Sequence, residues 1–289
     1  MFAICTQPAY RQMAGAWVLA TAAALGSLLG VARTAMAEEA NLITSKGYLS
    51  LGTFINNSSL KIRVDGEAGE IGTEINWKDT FGDKDASRFR LDGLWRFNDK
   101  HHMRVLYTDF SRSKKETLDR DIEWQGDTIL AGSSVKGDFS FTIMEAAYEY
   151  ALKHTENLEL ALSAGLHYTT FEAGITADIQ TPGGGVGGTL GGKASVDAPL
   201  PVFGGHALWH MGRNFYLDGM VQWFALSIDN IDGSLVNYRG ALLWQPKKYV
   251  GLGIGYDSFN VDVKVKKPKF TGKMDWTYQG PQIFYNISF

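Results

Sequence analysis

The strongest constraint on the fold of this chain is an alternation of period two that returns in segment after segment. Between 158 and 168 every even position is apolar or aromatic: Leu158, Leu160, Leu162, Ala164, Leu166 and Tyr168. The odd positions are Glu159, Ala161, Ser163, Gly165 and His167. A helix would scatter the leucines around its circumference, whereas an extended strand lines them up on one side. Phe215, Leu217, Val221 and Trp223 repeat the pattern against Tyr216, Asp218 and Gln222. So do Val250, Leu252, Ile254 and Tyr256 against Gly251, Gly253 and Gly255. The final PQIFYNISF carries it to the terminal carboxylate. With 33 glycines, 12% aromatics and only 7 prolines, the composition suits many strands joined by tight turns.

Short polar turns at 98–101, 153–157, 212–214 and 246–248 punctuate the strands. The connections at the other end are long, near 66–86, 114–136, 173–197 and 262–272, with 229–232 the short exception. Ten antiparallel strands in up-and-down order are expected near 46–64, 87–97, 101–113, 137–151, 157–172, 199–211, 214–228, 233–245, 248–261 and 273–289. Segments 70–78 and 117–130 are also strand-like, so a count of twelve is an alternative to ten, and eight is the other.

The first 37 residues differ from the rest. Arg11 precedes the acid-free apolar run AGAWVLATAAALGSLLGVA, and Ala35-Met36-Ala37 is followed by Glu38-Glu39. That order describes an export signal cleaved after Ala37, with a retained membrane helix as the alternative. Residues 38–289 then form a single domain. The formal charge is −3 for the whole chain, and removal of Arg11 and Arg33 makes it more acidic, which excludes a nucleic-acid partner. The single cysteine, Cys5, lies within the leader, so the exported domain carries neither thiol nor disulfide.

Where the aromatics fall decides which way the oily side points. Trp95, Phe97, Tyr148, Tyr150, Trp209, Phe215, Trp244, Tyr249 and Phe289 cluster beside the short turns. A second ring is expected from Phe171, Trp223, Tyr256 and Phe259. Phe215 to Trp223 is about 27 Å of strand, or roughly 20 Å of height when tilted, close to the ~25 Å apolar band of membrane barrels. A soluble barrel would spread its aromatics through its core. The expected fold is therefore all-β: a closed, antiparallel, up-and-down transmembrane barrel with its apolar side in lipid.

These features resemble Gram-negative outer-membrane β-barrels, and the hairpin RFRLDGLWRFNDKHHMRVLYTDFSRS at 88–113 looks like those of small barrels of the OmpW or OmpA kind. The resemblance implies export through the periplasm to the outer membrane. It also implies that Ile283, Tyr285, Ile287 and Phe289 form the C-terminal signal read by the barrel-assembly machinery. The implied partners are outer-membrane lipids, that machinery and small polar solutes, with the protein a monomer.

With the apolar side outward, the lumen receives Arg90, Asp92, Arg96, Arg104, Glu145, Glu149, Glu159, His167, His206, His210, Asp218 and Arg239. Mixed signs suit a lumen filled by mutual ion pairs, or a narrow polar passage. His206 and His210 share a face but sit about 13.6 Å apart on a strand, too far for one ion. His101 and His102 point to opposite faces, so no metal and no cofactor is expected. GGTLGGKA at 187–194 approaches a phosphate loop, but Ala194 lacks the hydroxyl and no helix pattern follows; it reads as flexible loop. No serine lies one step from a histidine, so no catalytic residues are assigned, against a lipid hydrolase as alternative. The expected role is a passive narrow pore or structural barrel, the other alternative being a binding module carried on loops 114–136 and 173–197.

Overall fold

The computed structural model describes residues 41–289 apart from 56, 67–69, 82–86, 181–185, 229–230 and 268–269, so the expected leader lies outside the described residues. The strands are β1 (Gly47–Ile55), β2 (Asn57–Val64), β3 (Ile75–Asn76), β4 (Ser87–Arg96), β5 (His101–Thr117), β6 (Ile122–Trp124), β7 (Asp127–Ile129), β8 (Ser134–His154), β9 (Leu158–Gln180), β10 (Val186–Gly212), β11 (Phe215–Ile228), β12 (Ile231–Lys247), β13 (Val250–Lys267) and β14 (Phe270–Ser288). One short helix, α1 (Trp77–Phe81), follows β3.

Ten of these strands form the barrel, in the order β1-β4-β5-β8-β9-β10-β11-β12-β13-β14, closed by antiparallel pairing of β1 with β14 from Tyr48 opposite Ser288 to Phe54 opposite Gln282. The seam continues one residue beyond β14. Gly47 N–H donates to the Phe289 carbonyl at 3.1 Å, and Phe289 N–H donates to the Gly47 carbonyl at 2.9 Å. The Phe289 ring packs 5.5 Å from Trp95. In lipid an unpaired backbone group is expensive, so the chain stays ordered to its last residue. The strand-like segments at 70–78 and 117–130 contain β3 and the β6–β7 hairpin, which lie outside the ten-strand ring.

The turns follow local chemistry. In the 98–101 turn, the Asn98 side chain accepts from the N–H groups of Lys100 and His101. In the 212–214 turn, Arg213 and Asn214 have φ of 51° and 66°, the left-handed pair that a two-residue hairpin requires.

The strands are longer than the alternating apolar segments, because each passes from one solvent into another. Along β9 the outward even positions are apolar up to Tyr168, and Thr170 and Glu172 follow. The inward side changes in the opposite sense, from Glu159 and His167 to Phe171, Ala173, Ile175 and Ala177. On β13 the outward Leu252, Ile254 and Tyr256 give way to Asn260, Asp262 and Lys264, and the inward Asp257 gives way to Phe259, Val261, Val263 and Val265. On β8 the outward Met144 is succeeded by Thr142, Ser140 and Asp138, with Ile143, Phe141 and Phe139 inside. The half nearer the short turns is oily outside and polar inside. The other half is built like a water-soluble barrel.

This exchange corrects two expectations. Phe171 and Phe259 do not belong to the outer aromatic ring; they are 5% and 0% exposed and face the lumen, while Tyr168 and Tyr238 stand outward with Trp223 and Tyr256. The connections expected at 114–136, 173–197 and 262–272 are largely strand: β9 and β10 stay paired from Trp209–Leu158 to Val186–Gln180. The glycine-rich 187–194 lies within β10 and is not a loop.

β1 and β2 together cover the segment expected as one strand, and both lie along β14. Above β1, however, β2 pairs with β3 and no longer with β4. Helix α1 fills the adjoining space: Trp77 packs 4.6 Å from Phe81 and 5.9 Å from Phe139. The Phe81 ring lies so close to Gly137 that a Cβ there would meet it at 2.5 Å. The β6–β7 hairpin is anchored by Trp124, whose ring N–H donates to the Gly192 carbonyl at 3.0 Å. No helix among the described residues is long and apolar enough to cross a membrane.

The two halves respond differently to substitution. Ile254→Arg, in the lipid-facing band, should cost about 2–4 kcal/mol in vesicles. Lys264→Ala, on the same side of the same strand but above the band, should change stability by less than about 0.5 kcal/mol. Trp276→Ala, in the upper core, should cost about 3–5 kcal/mol. Denaturant unfolding in lipid vesicles measures all three; equal effects of Ile254→Arg and Lys264→Ala would contradict the change of solvent along β13.

Candidate functional site

The candidate site is the lumen, which the strands fill level by level. At the short-turn end, residues 41–46 fold into the mouth and bury Leu42 and Ile43 completely. Arg96 ties this segment to the wall: its Nη1 donates to the Leu42 and Ser45 carbonyls at 2.9 and 3.1 Å. The remaining nitrogens of its fork, Nε and Nη2, each donate to Glu159 at 2.9 Å. His210 stacks on Tyr216 at 4.6 Å, so its ring makes a structural contact away from His206.

Above this lies a charged layer. Arg104 Nε donates to Glu149 Oε1 at 2.6 Å, and Glu149 Oε2 lies 3.2 Å from His206 Nδ1. The other ring nitrogen of His206 is 3.7 Å from Asp218. A second set joins Arg90 to Asp92 at 2.7 Å and to Asp257 at 2.8 Å, with Arg239 reaching Asp92 at 3.2 Å. A third places His167 2.8 Å from Glu145, which also accepts from Gln222. Asn237 donates to Gln222 at 3.2 Å.

All twelve charged or imidazole residues expected on the inner face point inward. His210 is the half-buried exception among otherwise buried groups. Asp257, Gln222, Asn237, Gln282 and Asn286, beyond those twelve, are also buried on the inner face. Close pairing of opposite charges offsets the cost of burying each ion.

The polar layers end at an aromatic one. His167 stacks on Phe259 at 6.1 Å, Phe259 on Tyr278 at 4.9 Å, and Trp276 lies 4.2 Å from Phe141. From there to Trp77 and Phe81 the interior is continuous apolar core. Within it a cavity of about 40 Å³ is lined by groups that include Phe139, Phe171, Val263 and Met274.

Sequence reasoning missed one cluster, because three strands and a bulge assemble it. An extra residue between Ala151 and Lys153 shifts the β8–β9 register and turns His154 inward, opposite Glu159. His154 Nδ1 lies 2.8 Å from Glu159 Oε2, and the inward His102 approaches the same oxygen to 3.9 Å. His101 points outward and contacts Tyr148.

Breaking one buried pair should cost more than replacing both members. Glu149→Ala leaves Arg104 and His206 without their carboxylate and should destabilise the barrel by about 3–5 kcal/mol, whereas Arg104→Met combined with Glu149→Leu should recover most of that loss. Urea midpoints of the single and double variants check this; a double variant as unstable as the sum of its singles would contradict it.

No family model and no curated protein matches the sequence. Solved structures do. The outer membrane protease OmpT from Escherichia coli aligns with a TM-score of 0.51 at 10% identity, over 85% of this chain and 98% of that one. The P. putida toluene transporter TodX aligns at 0.35 and 7% identity, over 87% and 93%. Ail, the attachment invasion locus protein of Yersinia pestis, solved with the heparin analogue sucrose octasulfate, aligns at 0.34 and 12%, over 83% and 97%. At such identities the likeness is one of architecture. The chain has the fold of an outer-membrane β-barrel, with ten strands.

Proposed function

We propose that this protein is a sealed, non-conducting barrel of the outer membrane, a structural anchor that holds a rigid β-walled platform above the lipid. One observation carries the reading: large, fully buried side chains occupy the lumen in layer after layer. Arg104, Tyr216, Phe141, Phe259 and Trp276 are among the largest fully buried side chains, and they lie in successive layers from the short-turn end to the upper core. A narrow pore needs a continuous wet path, and large buried side chains in successive layers support the closed reading over it.

In this reading the short turns face the periplasm and the extended strands face outward, as in bacterial barrels. Its lower wall is surrounded by lipid, and the assembly machinery reads its terminal strand at Ile283, Tyr285, Ile287 and Phe289. It acts as a monomer and needs no cofactor. The working surface is the upper wall, where a groove of about 240 Å³ is lined by Ser111, Arg112, Ser113, Asp138, Glu172 and Lys193 among others.

Planar-bilayer recording tests the seal. The wild-type protein should show no discrete conductance steps. Trp77→Gly with Phe81→Gly should show none either, because the layers of Arg90 and Arg104 remain below the altered cap. Reproducible single-channel steps from the folded wild type would overturn the reading and restore the pore.

A further inference from the structure

We propose that His102, His154 and Glu159 form a divalent transition-metal site at the short-turn end of the lumen, of the kind that takes Zn²⁺. Their ligand atoms all lie within 4.8 Å of one another. A tetrahedral ion with bonds of about 2.0–2.1 Å needs ligands roughly 3.3 Å apart. The two separations to Glu159 Oε2, 2.8 Å from His154 and 3.9 Å from His102, bracket that value, and the separation between the two imidazoles is at most 4.8 Å, so an ion would draw the two rings together by up to about 1.5 Å.

The second observation is His102 itself. It is completely buried, and neither ring nitrogen has a hydrogen-bond partner among the described residues. Buried polar atoms are nearly always satisfied; at 3.9 Å the His102 Nε2 is too far from Glu159 to hydrogen-bond it directly, and an ion between them would satisfy both. The ring planes of His102 and His154 are inclined at 62° with centroids 6.0 Å apart, so the two do not stack and can converge on a common point.

The surroundings supply the outer partners such a site uses. His154 Nε2 lies 4.0 Å from Asp99, an exposed carboxylate. When the ion takes Nδ1, the ring proton moves to Nε2 and faces Asp99, which orients the ligand. The Arg96 fork fixes the plane of Glu159, while its positive charge opposes a cation. Three protein ligands beside that charge bind more weakly than a closed four-ligand site, and water fills the remaining position. His154 is slightly exposed at the mouth and provides the way in. A bound ion would cross-link β5, the end of β8 and the start of β9.

The test uses the folded, chelator-treated protein in detergent micelles, titrated calorimetrically with Zn²⁺. One equivalent should bind, and unfolding temperature should rise with Zn²⁺ concentration. His102→Ala removes a side chain with no hydrogen bond to lose and should weaken binding at least about tenfold; His154→Ala should do the same, and Asp99→Asn should weaken it about tenfold. His101→Ala, at the adjacent outward position, should bind as the wild type does. Co²⁺ absorption of the unaltered protein gives a readout that needs no variant, and should show four- or five-coordinate bands. No Zn²⁺ uptake by the wild type, uptake unchanged in folded His102→Ala, or a six-coordinate aqua-like Co²⁺ spectrum would each overturn the proposal.

Discussion

Each strand of this protein crosses a boundary between two solvents, and the rest of the structure follows from that crossing. Hydrocarbon demands apolar side chains outside and complete backbone pairing; water demands the reverse side-chain arrangement and tolerates interruptions. Because side chains alternate strictly, one strand can meet both demands only by exchanging the chemistry of its two sides at the boundary. On β9 the exchange falls between Tyr168 and Phe171, and on β13 between Tyr256 and Asn260. The barrel below is closed and regular. Above it, the wall admits β3 and α1, which hydrocarbon would not permit.

The lumen obeys the same logic from within. Below the boundary, opposite charges neutralise one another in layers around Arg104, Arg90 and Arg96, beside a small apolar cluster that includes Leu42, Leu94 and Tyr216. Above it the aromatic core of Trp276, Phe141, Phe259 and Tyr278 packs as a soluble core does. His167 joins the two regimes, with Glu145 on one side and the face of Phe259 on the other. Polar and apolar fillings in series brace the wall from within.

Much of this was legible in the sequence. Apolar alternation and the short polar turns specify the ten strands, their order and the inward parity of residues such as Glu149 and Asp218. The upper strands were less legible, because polar-outside alternation is what ordinary loops and soluble strands share, and VGGTLGGKA at 186–194 carries the composition of a flexible linker. Pairing with β9 overrides that composition. Phe171 and Phe259 were placed outward because aromatics near a boundary suit either side, and only strand parity separates them. The His102–His154–Glu159 cluster left no trace in spacing: it depends on a one-residue bulge that reverses the parity of His154.

The central claim is the exchange of solvent along single strands, and site-by-site accessibility tests it most directly. The only native cysteine is Cys5, in the expected leader, so single cysteines can be placed and spin-labelled without interference. Labels at Leu252, Ile254 and Tyr256 should relax with oxygen and ignore a water-soluble nickel chelate, and labels at Asn260, Asp262 and Lys264 should do the opposite. Lipid exposure continuing to Lys264, or water exposure beginning at Leu252, would contradict the account.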